Sequence, residues 1–394
     1  MKQNNILFLT ILSILLFSSC KHTENNIITN DLITVIESQY ELLFESIQSE
    51  KNTKKFLPRN NIKGEIGYIP TYDWTSGFYP GSLWEIYNLT KNEIWKKRAL
   101  DYTERMESVK FFTNNHDIGF MIGCSFGNAI KTLKTTKYDA IIVQAATSLA
   151  SRYRAKIGVI QSWNKGSKWS CPVIIDNMMN LELLFHATRI SGDSTYYNIA
   201  IRHANNTLKN HFREDSSSYH VLDYDLESGA IVARNTHQGY ADESAWARGQ
   251  SWGLYGFTVM YRETKDTRYL EQAVKIANFI KNHPNLPEDQ IPYWDFNVKA
   301  EKDTPRDASA AAITASALLE LCTYVDEDSN KIYKDWAIEI IRALSSKAYL
   351  AEKGTNNGFL LKHSVGSLPH NSEINAAINY ADYYYLEALN RLKI

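Results

Sequence analysis

The chain has 394 residues, of which 44% are hydrophobic, with only 9 Pro and 18 Gly. This composition allows a large buried core and excludes a collagen-like or intrinsically disordered protein. The net charge of −1 argues against a general nucleic-acid binder and against a protein that adheres to membrane surfaces. An anionic ligand would therefore have to meet a local cluster of hydrogen-bond donors. Most of the 9 Trp and 24 Tyr are expected in the core, but a flat ring also suits the apolar face of a sugar.

The N-terminal segment is typical of a bacterial lipoprotein. Lys2 precedes an apolar run over residues 6–17, which is short for a membrane span, and Ser-Ser-Cys then ends at Cys20. We predict a signal peptide over residues 1–19 and a polar tether over residues 20–30 that begins with a lipidated Cys20. This lipid would be the only membrane attachment and would place the protein in the cell envelope, in the periplasm or at the outer membrane. The alternative is an ordinary secretory signal in which Cys20 has no role.

The remaining cysteines do not form a recognisable framework. Cys124, Cys171 and Cys322 are odd in number and widely spaced, which favours neither a set of disulfides nor a zinc site with paired cysteines. We therefore expect three buried thiols.

Residues 31–394 contain no long linker or low-complexity tract and are predicted to form one domain. Two kinds of helical segment alternate along it. Segments rich in aromatic and small residues begin near Ser76, Gly119, Ile174, Ser244, Ser309 and Ile374. Amphipathic segments begin near Asp31, Glu93, Lys137, Ser194, Thr267 and Lys331. This alternation predicts an all-α ring of six helical hairpins, with the aromatic helices inside. The loops over residues 161–172 and 215–243 are long enough to hold short strands.

Four of the amphipathic segments share one start signal. A polar residue suited to capping is followed three residues later by an aromatic residue and four residues after that by Ala, which places the last two on one helix face. A fifth copy, around Thr135 and Tyr138, is weak. The four copies are Asn92/Trp95/Ala99, Asp193/Tyr196/Ala200, Asp266/Tyr269/Ala273 and Asn330/Tyr333/Ala337.

If the aromatic helices are the inner ones, the polar residues near their starts meet at one mouth. Asp176 lies among apolar neighbours, where partial desolvation would raise its pKa as a general acid requires. A single Asp at a helix start is as well explained by capping, but Asp117 occupies the equivalent position on the adjacent helix and favours a carboxylate pair. His116 would support Asp117, since no second ligand lies at metal spacing. The residues expected at the mouth are Trp74, Asp117, Asp176, Gln238, Arg248 and Arg306.

Arg248 is an unusual cation for an inner helix. Ser244, Arg248 and Trp252 are spaced four residues apart and would share one helix face. An arginine flanked by indoles is poorly explained as a solvated charge. Its planar fork would suit a carboxylate held by two hydrogen bonds.

Taken together, these motifs resemble the unsaturated glucuronyl hydrolases of glycoside hydrolase family 88, over residues 72–389. The resemblance implies an (α/α)6 barrel in which Asp176 is the general acid/base and Asp117 its partner carboxylate. It also implies that Trp74, His220, Gln238, Trp246, Arg248 and Trp252 contact substrate. The motifs are His-Asp-x-Gly-Phe at 116–120, Ile-Ile-Asp-x-Met-Met-Asn-Leu at 174–181, Gln-Gly-Tyr at 238–240, Trp-Ala-Arg-Gly-Gln-x-Trp at 246–252, Arg-Asp-Ala-Ser-Ala at 306–310 and Tyr-Ala-Asp-Tyr-Tyr at 380–384.

The resemblance also implies a reaction and a partner. Members of the family act on oligosaccharides from polysaccharide lyases, which carry a terminal 4,5-unsaturated uronate, so this chain would work downstream of a lyase acting on a glycosaminoglycan or ulvan. Asp176 would protonate C4 and water would add at C5. An ionised Asp117 would raise the pKa of Asp176 and stabilise the developing positive charge. No metal or organic cofactor is implied.

The residues are also compatible with three alternatives. A family 105 unsaturated rhamnogalacturonyl hydrolase would share the barrel and the chemistry. A conventional inverting glycosidase would also use two carboxylates, about 6.5–9.5 Å apart. A non-catalytic, lipid-anchored sugar-binding protein would not need both Asp117 and Asp176.

Overall fold

The computed structural model describes residues 27–50 and 54–393, which are predominantly helical. Short 3-10 segments at Glu107–Phe111, Ile175–Asn180, Cys322–Tyr324 and Asn356–Gly358 and a π-helical turn at Gly123–Gly127 adjoin the α-helices. The α-helices are α1 (Asn30–Ser49), α2 (Phe78–Thr90), α3 (Glu93–Glu104), α4 (Ile118–Ile122), α5 (Asn128–Leu133), α6 (Asp139–Ala150), α7 (Leu181–Ser191), α8 (Ser194–Asn210), α9 (Ala247–Thr264), α10 (Thr267–Asn282), α11 (Ala308–Leu321), α12 (Glu327–Leu344) and α13 (Asn379–Lys393).

The helices form the predicted (α/α)6 barrel. The inner ring runs through α2, the α4–α5 pair, α7, α9, α11 and α13, and α13 packs against α2 to close it. The outer layer consists of α1, α3, α6, α8, α10 and α12. Inner helices are buried almost all round, and in α11 every residue except Glu320 is buried. This explains their small and aromatic composition, because neighbours pack on every side.

Helix α1 closes the outer layer, as its amphipathic pattern predicted. Its Glu37 carboxylate accepts a hydrogen bond from the indole of Trp95 on α3 at 2.7 Å. On its other side, the amide of Gln39 donates to the carbonyl of Phe359 at 3.1 Å. The N-terminal helix therefore bridges α3 and the segment that precedes α13.

The capping signal was correct for three outer helices and wrong for the fourth. Asn92, Asp193 and Asp266 each cap a helix by accepting a backbone N–H bond. In α12 the cap is Asp326, which accepts from the Ser329 backbone at 2.9 Å, and Asn330 lies inside the helix. Asp326 begins an acidic first turn, which the helix dipole favours, so α12 starts four residues earlier than predicted.

Two inner-helix starts were also predicted wrongly. Residues 242–244 form a turn and a bend, Trp246 then pairs with Asp295, and the Phe296 N–H donates to the Ala245 carbonyl at 2.9 Å, so α9 begins only at Ala247. Ile374 lies within a strand, and α13 begins at Asn379. In both places the backbone donors are used in pairing with a distant segment.

Short antiparallel sheets precede several of the inner helices. The segment over residues 215–243 contains two of the strands, as predicted. Strand β5 leads directly into the turn that carries Asp176, and β9 leads into α13, so both sheets border the barrel mouth. The sheet orders are β2-β1-β9-β8, β3-β4 and β5-β6-β7, with β1 Leu57–Ile62, β2 Glu65–Ile69, β3 Tyr153–Arg154, β4 Val159–Ile160, β5 Pro172–Ile174, β6 Val221–Tyr224, β7 Ile231–Asn235, β8 Ser364–Ser367 and β9 Ser372–Ile378.

The predicted buried thiols are confirmed, since Cys124, Cys171 and Cys322 are free and buried. In the described ranges, no helix combines the length and apolar character needed to cross a membrane. The signal peptide at residues 1–19 and the lipidated Cys20 lie outside the described residues, and those assignments, like the domain boundary at residue 31, remain predictions.

Candidate active site

Asp117 and Asp176 approach each other at the start of two adjacent inner helices. Asp117 precedes α4, but among the described residues its side chain makes no capping hydrogen bond to this helix. Asp176 follows β5, is only 7% exposed, and its Oδ1 has no hydrogen-bonding partner within the described residues. Capping therefore explains neither side chain, and both carboxyls are available for another purpose.

Burial raises the pKa of both carboxyls, and the charge of Asp176 raises the pKa of Asp117 further. Burial raises the pKa of Asp176 to about 7, opposed by the positive charge of Arg248. The pKa of Asp117 is raised well above its ordinary value, first by burial and then by the negative charges of Asp176 and Asp73. The pair therefore retains at least one proton near neutral pH. The positive charge of Arg248 favours the charged form of Asp176 in the free protein, and the expectation that Asp176 is protonated and Asp117 ionised stays a prediction.

His220 is held as a neutral donor facing Asp176. Its Nδ1 accepts hydrogen bonds from the backbone of His237 and Gln238, both at 3.1 Å, so the proton of the neutral ring lies on Nε2. Nε2 is 3.7 Å from Asp176 Oδ1. Burial lowers the pKa of His220 well below its ordinary value, with help from the charge of Arg248. His220 can therefore donate one hydrogen bond toward Asp176 or a ligand beside it.

Trp252 offers a further donor in the same place. Its ring is buried between Phe120 and Tyr384, at centroid distances of 5.1 and 5.3 Å. The indole N–H has no well-formed hydrogen bond to any described residue, but it faces Asp176 closely enough to lower the pKa of that carboxyl.

The sequence matches the profile of Glycosyl Hydrolase Family 88 over residues 48–391. The chain belongs to glycosyl hydrolase family 88.

The relatives of this family 88 chain are similar over most of their length. It is 49% identical to an unsaturated glucuronyl hydrolase of Formosa agariphila over 325 residues, which cover 82% of this chain and 80% of the relative. It is 35% identical to an unsaturated chondroitin disaccharide hydrolase of Streptococcus pneumoniae, with 81% of each chain covered.

Solved structures agree with the sequence comparison. A crystal structure of an unsaturated glucuronyl hydrolase specific for heparin superposes with a TM-score of 0.87 at 46% identity, covering 92% of this chain and 96% of that one. The enzyme from Bacillus sp. GL1 gives a TM-score of 0.83 at 30% identity, covering 92% and 97%. The resemblance inferred from the motifs is confirmed, and the family 88 chain is a glycosidase.

The structure corrects the prediction that Arg248 offers its planar fork to a ligand. Nη1 donates to Asp307 Oδ2 at 2.9 Å and to the Val365 carbonyl at 2.5 Å. Nη2 donates to the Gly366 carbonyl at 2.6 Å. Only Nε is buried without a partner among the described residues. The fork therefore holds the β8 strand against α9, and of the five N–H groups the one on Nε and the second on Nη2 remain for a ligand.

Trp246 and two other expected residues have changed roles. Trp246 is 2% exposed, and its ring packs on the His220 imidazole at 4.5 Å, so it supports His220; its expected contact with substrate stays a prediction. Ser244 does not share a helix face with Arg248, because it precedes α9. Arg306 is bonded to Asp289 at 2.9 Å and likewise has a structural partner.

Trp74 and Gln238 lie at the mouth as predicted. Trp74 is partly exposed and packs on Tyr380 at 5.2 Å, which leaves part of its ring for a ligand. Gln238 is half-buried, and its amide nitrogen donates to the Gly366 carbonyl at 3.0 Å. That carbonyl also accepts from Arg248, so Gln238 and Arg248 are joined through β8.

A cluster of rings next to His220 was missed by sequence reasoning. The His237 ring lies 5.5 Å from Trp163, 5.4 Å from Trp169 and 4.3 Å from His370. Burial lowers the pKa of His237 to about 4, so this ring is neutral. These residues come from three loops without periodic patterns, and the one available signal was the position of His237 beside Gln238.

The described residues contain no group of three His, Cys, Asp or Glu side chains placed to hold a metal ion. The site of this family 88 enzyme thus consists of two carboxyls of raised pKa, the N–H donors around Asp176, and aromatic rings at the rim.

Proposed function

We propose that the protein releases the terminal 4,5-unsaturated uronic acid from the non-reducing end of oligosaccharides produced by polysaccharide lyases. The observation that carries this proposal is the buried carboxyl of Asp176, with a pKa near 7 that the Arg248 charge and the Trp252 indole lower, and with His220 Nε2 at 3.7 Å. Membership of family 88 and the relatives named unsaturated glucuronyl hydrolase support the same substrate class.

The three donors define how an unsaturated uronate would be held. Nε of Arg248, Nε1 of Trp252 and Nε2 of His220 are all buried and have no hydrogen-bonding partner in the described part of the chain. Buried polar groups without partners are rare because their desolvation is not offset. A bound uronate supplies carboxylate and hydroxyl oxygens that can accept these bonds.

The chemistry follows from a protonated Asp176 beside the enol ether. Asp176 transfers its proton to C4, which forms a C–H bond and leaves the positive charge shared between C5 and the ring oxygen. Water then adds to C5 and returns a proton to the Asp176 carboxylate, giving a hemiketal. The hemiketal opens to a ketone, and the hemiacetal exposed at C1 collapses and releases the remaining oligosaccharide. Asp117, when ionised, stabilises the cationic transition state.

Substrate binding also supplies a way to place the proton on Asp176. Arg248 favours the ionised form of Asp176 in the free protein. A substrate carboxylate that accepts from Arg248 Nε would offset this positive charge, so the pKa of Asp176 rises and the protonated form of Asp176 is favoured. The alkaline limb of kcat should then lie at higher pH than that of kcat/KM, because the two report the bound and free enzyme.

The deciding experiment measures the loss of ultraviolet absorbance of the C4=C5 bond. Heparin-derived unsaturated disaccharides are tested first, because a relative at 46% identity is described as specific for heparin, followed by chondroitin, hyaluronan and ulvan products. Wild-type protein should abolish the absorbance and Asp176→Asn should not. Matched saturated disaccharides should be inert. Sugar release with the absorbance retained would instead indicate a conventional glycosidase.

We further propose that the enzyme acts in the cell envelope, anchored by a lipid on Cys20 after removal of residues 1–19. The apolar run at residues 6–17 and the Ser-Ser-Cys sequence support this location. An enzyme in this place would receive its substrate from a polysaccharide lyase acting outside the cytoplasm.

A further inference from the structure

Arg152, two residues after the end of α6, is a buried cation without a carboxylate partner. It is 3% exposed, and burial lowers its pKa to about 10, so it stays charged at neutral pH. Arg248 is buried as deeply but pairs with Asp307 at 2.9 Å. No carboxylate in the described part of the chain forms an ion pair with Arg152, and its Nη2 has no hydrogen-bonding partner there. A buried charge without a counter-ion is costly, which indicates a role beyond packing.

The Arg152 guanidinium joins the segment before Asp117 to the loop that follows β4. Its Nε donates to the Gln161 carbonyl at 2.8 Å. Its Nη1 donates to the Thr113 carbonyl and to Asn164 Oδ1 at 3.1 Å. The planar fork therefore fixes the distance between two irregular segments whose backbones would otherwise be free to shift.

Ser162 extends this connection to the turn that carries Asp176. Its carbonyl accepts from the His116 N–H at 2.9 Å, and its own N–H donates to the Pro172 carbonyl at 2.8 Å. Its Oγ accepts from the Ile174 N–H at 2.9 Å, at the end of β5. A shift of the loop that follows β4 would therefore move the two carboxyls of the site relative to each other.

Arg152 also acts on the Asp117 carboxyl through its charge. Burial raises the pKa of Asp117, and the negative charges of Asp176 and Asp73 raise it further. The positive charge of Arg152 opposes these effects. His116 Nε2 lies 3.3 Å from Asp117 Oδ1, but burial lowers the pKa of His116 to about 3, so this ring is uncharged. Among the described residues, Arg152 is thus the cation that opposes protonation of Asp117.

We propose that Arg152 is a positioning residue for the reaction: its fork fixes the spacing of the two carboxyls, and its charge favours the ionised form of Asp117. Neither effect requires contact with substrate, because one acts through the loop that follows β4 and the other through Asp117. An ionised Asp117 is the form that stabilises the positive charge developing on the sugar. This inference rests on the proposed function, since it takes Asp117 to be the ionised partner of a protonated Asp176.

The test follows the double-bond absorbance of a lyase-generated disaccharide from about pH 4 to pH 9. Arg152→Gln should lower kcat at least about tenfold through misplacement of the carboxyls. It should also move the acid limb of kcat/KM to higher pH by about 0.5–1 unit, because the carboxyl pair takes up its second proton more readily without the cation. Arg152→Lys keeps the charge but loses the fork, so kcat should fall while the acid limb stays at the wild-type pH.

The matched control is Arg154→Gln, which removes a neighbouring cation whose Nε donates to the Gln161 side chain at 2.9 Å. Arg154 does not contribute to the pKa of Asp117, so this variant should keep both the kcat and the acid limb of wild type. Circular dichroism and thermal unfolding establish that each variant is folded.

Several outcomes would overturn the proposal. A purely structural role would lower stability without moving the acid limb, so an unmoved limb in folded Arg152→Gln refutes the action of the charge. A limb that moves as far in Arg152→Lys or in Arg154→Gln refutes it as well. Arg152→Met replaces Arg152→Gln if the latter does not fold, and if neither folds, a wild-type kcat in Arg152→Lys refutes the role of the fork. A wild-type protein that leaves the double bond intact would instead refute the proposed function.

Discussion

The raised pKa of Asp176 predicts that removing this carboxyl stabilises the fold while abolishing turnover. In the folded protein Asp176 titrates near pH 7, against an ordinary value of 3.8. At a pH between these two pKa values, the unfolded chain has released the Asp176 proton whereas the folded chain retains it. The free energy of unfolding therefore falls as the pH rises through this range. Asp176→Asn has nearly the same shape and no charge, and it avoids this loss.

The size of the effect follows from the pKa. A rise from 3.8 to about 7 corresponds to roughly 4 kcal/mol, at about 1.4 kcal/mol per pH unit. Relaxation of the site on ionisation reduces this value, so we expect ~2–4 kcal/mol at pH 8 and little difference below pH 4. The stabilisation should grow through the interval between these pH values and level off above pH ~8.

The assay is chemical or thermal unfolding of wild type and Asp176→Asn from pH 4 to pH 9. Asp223→Asn provides a matched control, because Asp223 is also a buried carboxyl but accepts backbone bonds from Ser170 and Cys171 at 3.0 and 2.7 Å. Loss of these acceptor bonds should destabilise the fold. The reasoning fails if Asp176→Asn is less stable than wild type at pH 8, or if the difference between them does not vary with pH.

Three further predictions address other parts of the protein. Arg248→Met should lower the free energy of unfolding by ~3–5 kcal/mol, because it leaves Asp307 as a buried, unpaired charge; an unchanged melting temperature would contradict the structural role of the fork. His220→Gln should lower kcat/KM at least tenfold. The pH profile of wild-type kcat/KM should show no acid limb near pH 6.5, because His220 is already neutral. An acid limb that is present in the wild type and absent in His220→Gln would show that the imidazole titrates. Cys20→Ala should abolish lipid attachment and leave an uncleaved or mislocalised precursor, as followed by radiolabelled palmitate and fractionation; a lipid-bearing variant in the membrane fraction would refute the assignment.

Local signals predicted the barrel correctly because its helices differ in composition. Inner helices such as α11 are buried on all sides and consist of small and apolar residues, whereas outer helices carry one polar face. The caps at Asn92, Asp193 and Asp266 are local as well, since a side chain bonds to a backbone N–H two residues away. The inner starts near Ser244 and Ile374 were wrong because long-range backbone pairing decides those segments.

The sequence by itself determined the family, the helical ring and the two carboxylates at its mouth, because composition, capping and motif spacing are properties of neighbouring residues. Only the tertiary structure decided which hydrogen bonds each polar group makes. The partners of Arg248 lie 59 to 118 residues away, and two of them are backbone carbonyls, which every residue type carries and no sequence pattern marks. Likewise, the pKa values of Asp117 and Asp176 depend on burial and on charges brought near by folding, which exist only once the ring has closed.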